Sequence, residues 1–147
     1  MFLSHHQHSI DEKGRMTIPA NYRDQLQDGA YITQGFDQNL IVLPKASFDN
    51  ISANINKMSL TNPDARQLSR LIFSHAETIE FDRAGRILIP LYLRQAAALD
   101  NAAEVVGAGN HFEIWSPALW DKEDARYQDP DFTIKRFDAL DLSTEKP

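Results

Sequence analysis

The sequence has no cysteine in its 147 residues. Without cysteine there is no disulfide framework, no thiolate nucleophile and no cysteine-ligated metal site, which fits a cytosolic setting. Long apolar runs and a signal-peptide pattern are also absent, so we expect no membrane segment. Phosphate-binding loops, dinucleotide-binding glycine motifs and the Gly-x-Ser-x-Gly motif are missing too. We therefore expect a protein that is not an enzyme, has no catalytic residues and needs neither a cofactor nor a metal ion.

Positive charge is scarce for a chain that would bind nucleic acid. There are 15 Lys and Arg against 21 Asp and Glu, a net charge of -6. Residues 121–147 alone hold eight acids and five bases, a net of -3. Because phosphate binding needs clustered cations, a DNA site here has to be a local basic patch, multiplied by assembly of several copies.

One motif occurs twice, at an offset of 71 residues. Residues 9–19 and 80–90 both contain Asp-x-x-Gly-Arg, followed by an apolar residue, any residue, Ile and Pro. The similarity extends back to Phe2 and Phe73 at the same offset. Matched Asp, Gly, Arg and Pro over such a length indicate an internal duplication, and a duplication decides the fold.

Each copy of the motif predicts a strand, a tight turn and a second strand. In Asp-x-x-Gly the Asp side chain accepts from amides further along the chain, and Gly tolerates a positive φ. The following strand, 15–18 or 86–89, ends at Pro. Its period of two places Met16 inward and Arg15 outward. Further elements are expected as short helices near 21–26 and 91–98, and as strands near 30–35, 39–43, 103–107 and 111–115.

Two helical patterns lie between the copies of the motif. An apolar stripe from Phe48 to Met58 has the spacing of a helix. A second helix begins at Asn62-Pro63, where Asn can cap and Pro fits the first turn, and Ser116-Pro117 begins a third in the same way. After about Tyr127 the chain is polar and acidic, so we expect a loose tail there.

These motifs resemble the MraZ family of bacterial transcriptional regulators, which are tandem relatives of the AbrB/SpoVT swapped-hairpin domain. The resemblance implies a mostly β fold with flanking helices (α+β), in which two tandem AbrB-like swapped-hairpin repeats form a pseudo-dimer within one chain. The division we expect is a first repeat over 1–50, a helical connector over 51–72, a second repeat over 73–121 and an acidic C-terminal tail over 122–147. The stretches that carry the resemblance are 8–16, 62–67, 81–87 and 113–116.

The resemblance also implies a function. Members of the family bind double-stranded DNA as ring-shaped homo-oligomers, at short G-rich direct repeats upstream of their own operon. They are cytoplasmic, nucleoid-associated regulators of the division and cell-wall gene cluster. A ring would explain how an acidic chain binds DNA, since several weak contacts then act on one duplex.

The Asp-x-x-x-Arg signature of the family maps onto Asp11 with Arg15, and onto Asp82 with Arg86. The planar fork of Arg can meet O6 and N7 of guanine together, or it can grip phosphate, and the sequence does not choose between these. We interpret the two aspartates as turn formers that orient the arginines. The alternative is that the pairs only stabilise their turns, because exposed ion pairs are common and weak.

Further cations accompany the signature. Lys13 and Arg83 lie in the turns, so each turn offers two cations and all four are candidate DNA-binding residues. Arg23 and Arg94 follow Pro in the two copies, and we expect them to hold the short helices or a contact between chains rather than DNA.

Two other interpretations compete. His6 and His8 would share one face of a strand and could ligate zinc, but no third ligand stands beside them, so we interpret them as surface or DNA-flanking residues. The second functional hypothesis is an antitoxin-type protein-interaction module of the same superfamily, whose tail, with Phe132 and Phe137, would bind a partner. The doubled motif and the helical connector argue against it.

Overall fold

The computed structural model describes residues 1–146. Over that range, strands dominate the part of the chain that carries the two copies of the motif, in agreement with the expected α+β fold. The eight strands are β1 (His5–Ser9), β2 (Arg15–Thr17), β3 (Ala30–Gln34), β4 (Leu40–Pro44), β5 (Glu77–Thr78), β6 (Arg86–Leu88), β7 (Ala102–Gly107) and β8 (Phe112–Trp115).

Helices follow the strands in both repeats and connect them. The first short helix is completed by a 3-10 turn over Asp24–Leu26. None of the helices within residues 1–146 combines the length and apolar character needed to cross a bilayer. The six helices are α1 (Ala20–Arg23), α2 (Lys45–Asn56), α3 (Pro63–Phe73), α4 (Leu91–Ala96), α5 (Pro117–Tyr127) and α6 (Pro130–Arg136).

Six strands form one antiparallel sheet in the order β1-β7-β8-β4-β3-β5. Strand β1 precedes the first motif but pairs with β7, which follows the second. Strand β5 precedes the second motif but pairs with β3, which follows the first. Each repeat therefore gives its leading strand to the other, and this exchange confirms the expected swapped-hairpin pseudo-dimer.

The remaining two strands, β2 and β6, form a separate antiparallel ribbon. Met16 lies opposite Ile87 at its centre. Both side chains are buried, at 0% and 1% exposure, and so are Ile18 and Ile89, two residues further along. The period of two predicted from the sequence is confirmed, because Arg15 and its neighbours on the other face are accessible to solvent.

The ribbon packs its inner face into a single core that both repeats share. Large residues fill this core in either half, and burial of each contributes about 1.5–3 kcal/mol. The most completely buried large side chains are Phe2, Met16, Ile18, Ile32, Leu40, Val42, Ile87, Ile89, Leu93, Val105, Phe112 and Ile114. The face that carries the arginines is thus fixed by the core beneath it.

The connector between the repeats is a pair of helices, α2 and α3. The Asn62 side chain caps α3 by accepting from the amide of Asp64 at 2.9 Å, as the Asn-Pro pair predicted. On α2, Phe48 stacks on Tyr31 with ring centroids 4.2 Å apart. The predicted stripe included Met58, but α2 ends at Asn56 and Met58 is 44% exposed, so the stripe stops at Ile55.

Residues from 118 onward form a second compact unit. The expectation of a loose tail after Tyr127 is wrong, because α6 begins at Pro130. The Asp129 side chain accepts from the amide of Asp131 at 3.1 Å, so this helix starts with the same cap-and-proline chemistry as α3. Within the unit, Phe132 packs its ring against Phe137 at 6.1 Å.

Candidate nucleic-acid interface

The first turn leads into the ribbon and is organised by Asp11. Its Oδ1 accepts from the amides of Lys13 at 3.0 Å and Arg15 at 2.9 Å, and its own carbonyl accepts from Gly14 at 2.9 Å. Gly14 has a φ of +86°, a conformation that other residues adopt only with strain. The turn therefore depends on Asp at its first position and Gly at its fourth.

The second turn repeats this geometry in nearly the same distances. Oδ1 of Asp82 accepts from the amides of Ala84 and Arg86, both at 2.9 Å, and Gly85 has a φ of +74°. Both aspartates thus form their turns as expected, and each turn delivers its arginine to the start of a ribbon strand.

Each aspartate also holds the side chain of its arginine. Arg15 donates from Nε to Oδ2 of Asp11 at 2.7 Å, and Arg86 donates from Nε to Asp82 at 2.8 Å. Arg86 approaches the other repeat as well, since its Nη1 lies 3.7 Å from Oδ2 of Asp11. The ion pairs of the alternative interpretation are therefore present. The closest contacts use Nε of each guanidinium, and the terminal nitrogens of Arg15 take no part in its pair with Asp11 at that distance.

The aspartates stay charged over a wide pH range. The hydrogen bond from the Arg15 amide, together with that from its side chain, lowers the pKa of Asp11 below its ordinary value. The amide and side chain of Arg86 lower the pKa of Asp82 in the same way. Both carboxylates are therefore ionised at neutral pH, the state in which they pair with the guanidinium groups.

The two turn cations stand at different places in their turns. The offset of 71 aligns Arg83 with Glu12, and Lys13 with Ala84. Both cations are exposed, and besides the aspartate that the two turns share, the first turn carries a second acid, Glu12, next to its cation. Arg83 also lines a shallow depression together with Arg23, Asp24 and Asp82, so cations and carboxylates lie side by side at the second turn.

Arg23 links the repeats through the turn of the other copy. Its Nη1 donates to the carbonyl of Ile18 at 2.8 Å, at the end of its own ribbon strand. A Cβ on Gly85 would collide with the same Nη1, so the guanidinium rests directly on the second turn. The amide of Ile18 also donates to the carbonyl of Gly85 at 3.1 Å.

Arg94 makes the reciprocal contact. It donates from Nε to the carbonyl of Ile89 at 2.9 Å, and a Cβ on Gly14 would lie 2.7 Å from that nitrogen. Sequence reasoning assigned Arg23 and Arg94 to the short helices or to a contact between chains. The structure shows that they bridge the repeats within one chain. The repetition of Arg four residues after Pro was the available signal.

The histidines at the N-terminus lie on the edge strand β1. His5 pairs through Nδ1 with Glu104 at 2.7 Å. Burial, and then the neighbouring His6, lower the pKa of His8. Within residues 1–146 no three His, Asp or Glu side chains come together in a way that could hold a metal ion.

Comparison with known proteins identifies the family. A profile of the MraZ protein, described as antitoxin-like, matches the chain twice, over residues 1–71 and 72–141. Curated relatives named transcriptional regulator MraZ include that of Roseiflexus castenholzii, 43% identical over 120 residues, which cover 82% of this chain and 84% of the relative. The relative in Herpetosiphon aurantiacus is 44% identical with the same coverage, and that in Finegoldia magna is 39% identical over 122 residues, 83% and 85% of the two chains. With two tandem matches, the exchanged strands and the doubled Asp-Arg turn, the chain belongs to the MraZ family.

Proposed function

We propose that this protein is a sequence-specific DNA-binding transcriptional regulator. As a ring-shaped homo-oligomer it reads short G-rich direct repeats and controls the division and cell-wall gene cluster, in the cytoplasm and on the nucleoid. Arg15 and Arg86 bind the DNA, with Lys13 and Arg83 beside them. The observation that carries the proposal is the β2–β6 ribbon, which presents two oriented arginines on one outward face.

A two-stranded ribbon has the right dimensions for the task, because the major groove of B-DNA is about 12 Å wide and admits one. Each arginine is held through Nε by the aspartate of its own turn, and the terminal nitrogens would form the paired contact with guanine, for which Nη1 of Arg86 has to leave its longer contact with Asp11. A side chain that is already oriented loses less conformational entropy on binding. Asp11 and Asp82 therefore act by positioning the arginines.

The overall charge of -6 works against binding by a single copy. A ring overcomes this, because several ribbons on one duplex act at a high effective concentration. The proposal therefore requires tandem sites to bind much more tightly than isolated ones. Equal affinity for one repeat and for an array would contradict the ring.

The decisive experiment measures binding to the DNA upstream of the gene that encodes this chain. The parent is compared with Arg15→Ala and Arg86→Ala at about 50 and 200 mM salt, since phosphate contacts weaken steeply over that interval. We expect each variant to lose about 5- to 150-fold in affinity, the value of about 1–3 kcal/mol for one paired contact with guanine.

Arg70→Ala is the matched control, because Arg70 is exposed on α3 and its removal changes the charge equally. It should bind like the parent. If Arg15→Ala and Arg86→Ala also bind like the parent while remaining folded, the arginines serve only their turns and the proposal fails.

A second candidate function is an antitoxin-type interaction module, favoured by the description of the matching profile. The unit beyond residue 118 supplies a surface for it, since Ile134 is 72% and Phe137 46% exposed. A chain ending at Tyr127 separates the two functions. Loss of a stoichiometric protein partner, with DNA binding absent in the parent, would support the module. Unchanged DNA binding by the shortened chain would support the regulator.

A further inference from the structure

The two repeats differ at one position on the outward face of the ribbon. The offset of 71 makes Thr17 and Leu88 equivalent. Both point outward, and Leu88 is 59% exposed. The residues on either side of Leu88, Ile87 and Ile89, point inward and are buried, so Leu88 does not contribute to the core.

The position of Leu88 relative to the arginines is fixed by the register of the ribbon. Arg15 lies opposite Leu88, and Thr17 lies opposite Arg86. Side chains at opposed positions of an antiparallel pair share one face and have their Cβ atoms about 4.5–5.5 Å apart. The outward face is therefore a four-residue patch, in which each arginine has a different neutral neighbour.

We propose that Leu88 and Thr17 are specificity-determining residues of this DNA interface. Leu88 packs on the 5-methyl group of a thymine next to the base that Arg15 contacts. Thr17 offers its hydroxyl to a different base beside Arg86. Apolar side chains distinguish thymine by its methyl group in the major groove, whereas a hydroxyl bonds to several base edges. This inference rests on the proposed DNA-binding function.

The cations around Leu88 favour DNA over a second copy of the chain as its partner. Leu88 lies beside Arg15 and Arg86, and although each guanidinium is paired with an aspartate through Nε, both are partly exposed and can donate to phosphate or base edges. The inequivalence has a consequence for the target. Two identical half-sites suit a symmetric reader. A patch with Leu on one side and Thr on the other reads a sequence with a direction.

The test begins with selection of bound duplexes from a random library by the full-length parent. Deoxyuridine then replaces thymidine at each position of the selected duplex in turn, which removes only the methyl group. We expect one replacement to weaken the parent about fourfold, the effect of about 0.8 kcal/mol for one buried carbon group. Leu88→Thr should be indifferent to that replacement.

Two further variants sharpen the test. The exchange Thr17→Leu with Leu88→Thr should move the thymine preference to the other side of the patch. Arg70→Ala, remote from the ribbon on α3, should select the parental sequence. The salt dependence of binding should be the same for the parent and Leu88→Thr, because this substitution removes no phosphate contact. Thermal unfolding of each variant checks that it is folded.

The outcomes are distinguishable. If Leu88→Thr selects the same sequence as the parent and no uracil replacement weakens the parent, the inference is overturned while the DNA-binding function stands. If Leu88→Thr changes the sedimentation coefficient but not the base preference, Leu88 belongs to a subunit contact and the inference is also overturned. If the parent selects no sequence at all, the proposed function fails together with the inference.

Discussion

The two repeats of this chain are alike where they form the turn and different where they face solvent. In each, an aspartate, a glycine and an arginine make the same hydrogen bonds within about 0.1 Å, as the pairs of 2.9 Å at the arginine amides illustrate. The exposed positions have diverged, since Glu12 corresponds to Arg83 and Thr17 to Leu88. Turn geometry depends on hydrogen bonds that few residues can make, whereas outward positions are constrained only by what binds there.

Because of this divergence, the exposed charges of the two turns differ. Apart from the aspartate that both turns share, the first turn has the opposite charges of Glu12 and Lys13, while the second has the positive charge of Arg83. The buried positions show no such difference, because Met16 and Ile87 are equally inaccessible. Comparison of matched substitutions in the two repeats therefore separates what they share from what distinguishes them.

The largest effect should come from the shared core. Ile87→Ala should lower the free energy of unfolding by about 2–5 kcal/mol, because it removes a fully buried side chain and leaves a cavity. Leu88→Ala, one residue along the same strand, should change it by less than about 0.5 kcal/mol. Chemical denaturation of both variants measures this. A large loss for Leu88→Ala would show that its outward face is covered within the folded chain.

The reciprocal contacts of Arg23 and Arg94 should be next in size. Gly85→Ala should cost about 1–3 kcal/mol, because its positive φ strains any other residue and the new Cβ meets the Arg23 guanidinium. Combining Gly85→Ala with Arg23→Ala should cost less than the sum of the single changes, since the collision is then removed. Gly14→Ala with Arg94→Ala should behave in the same way. Additive losses in both pairs would contradict the contact.

The turn cations should show the asymmetry of the repeats in DNA binding. Arg83→Ala and Lys13→Ala should each reduce the slope of log affinity against log salt by about 0.9 if each neutralises one phosphate. Arg83→Ala should cause the greater loss of affinity, because Lys13 has Glu12 beside it in addition to the aspartate that both turns share. Titration at several salt concentrations measures both quantities. Equal losses would show that the charge asymmetry has no effect on the interface.

The smallest effect should be the response to acid. The hydrogen bonds from the arginines lower the pKa of Asp11 and Asp82 in the folded state, so both aspartates stabilise the fold above the ordinary aspartate pKa of about 3.9. That contribution is lost as the pH falls through the lowered folded-state values. Asp11→Asn and Asp82→Asn should therefore each reduce the dependence of the unfolding midpoint on pH below about 5. An unchanged acid response in the double variant would contradict this assignment.

Most of the local structure could be predicted from the sequence, because its causes are local. Asp-x-x-Gly determines its turn by hydrogen bonds within five residues, and the alternation around Met16 follows from the pleat of a strand. The outward course of Arg15 follows from the same alternation. These features need no information from elsewhere in the chain.

The rest depends on contacts between distant residues or on signals that competed. The position of Arg23 on Gly85 could not be predicted, because it requires the two repeats to be placed in space. Helix α6 was missed although Asp129-Pro130 carries the same starting signal as Asn62-Pro63. The acidic composition and the lack of an apolar period after Tyr127 favoured a loose tail in the prediction, although the Asp-Pro pair correctly indicated the start of a helix.

The exchange of leading strands also governs when the protein can fold during its synthesis. In the sheet His5 lies opposite Val106, so β1 lacks its partner strand until β7, well into the second repeat, has left the ribosome. Until then the N-terminal strand is an unpaired edge on a nascent chain, and such edges are prone to pair with other chains. Because both repeats are in one polypeptide, the partner strand β7 arrives on the same chain, and β1 does not need a second molecule to complete its sheet. Strand β1, although it is synthesised first, is therefore among the last strands to be incorporated into the sheet.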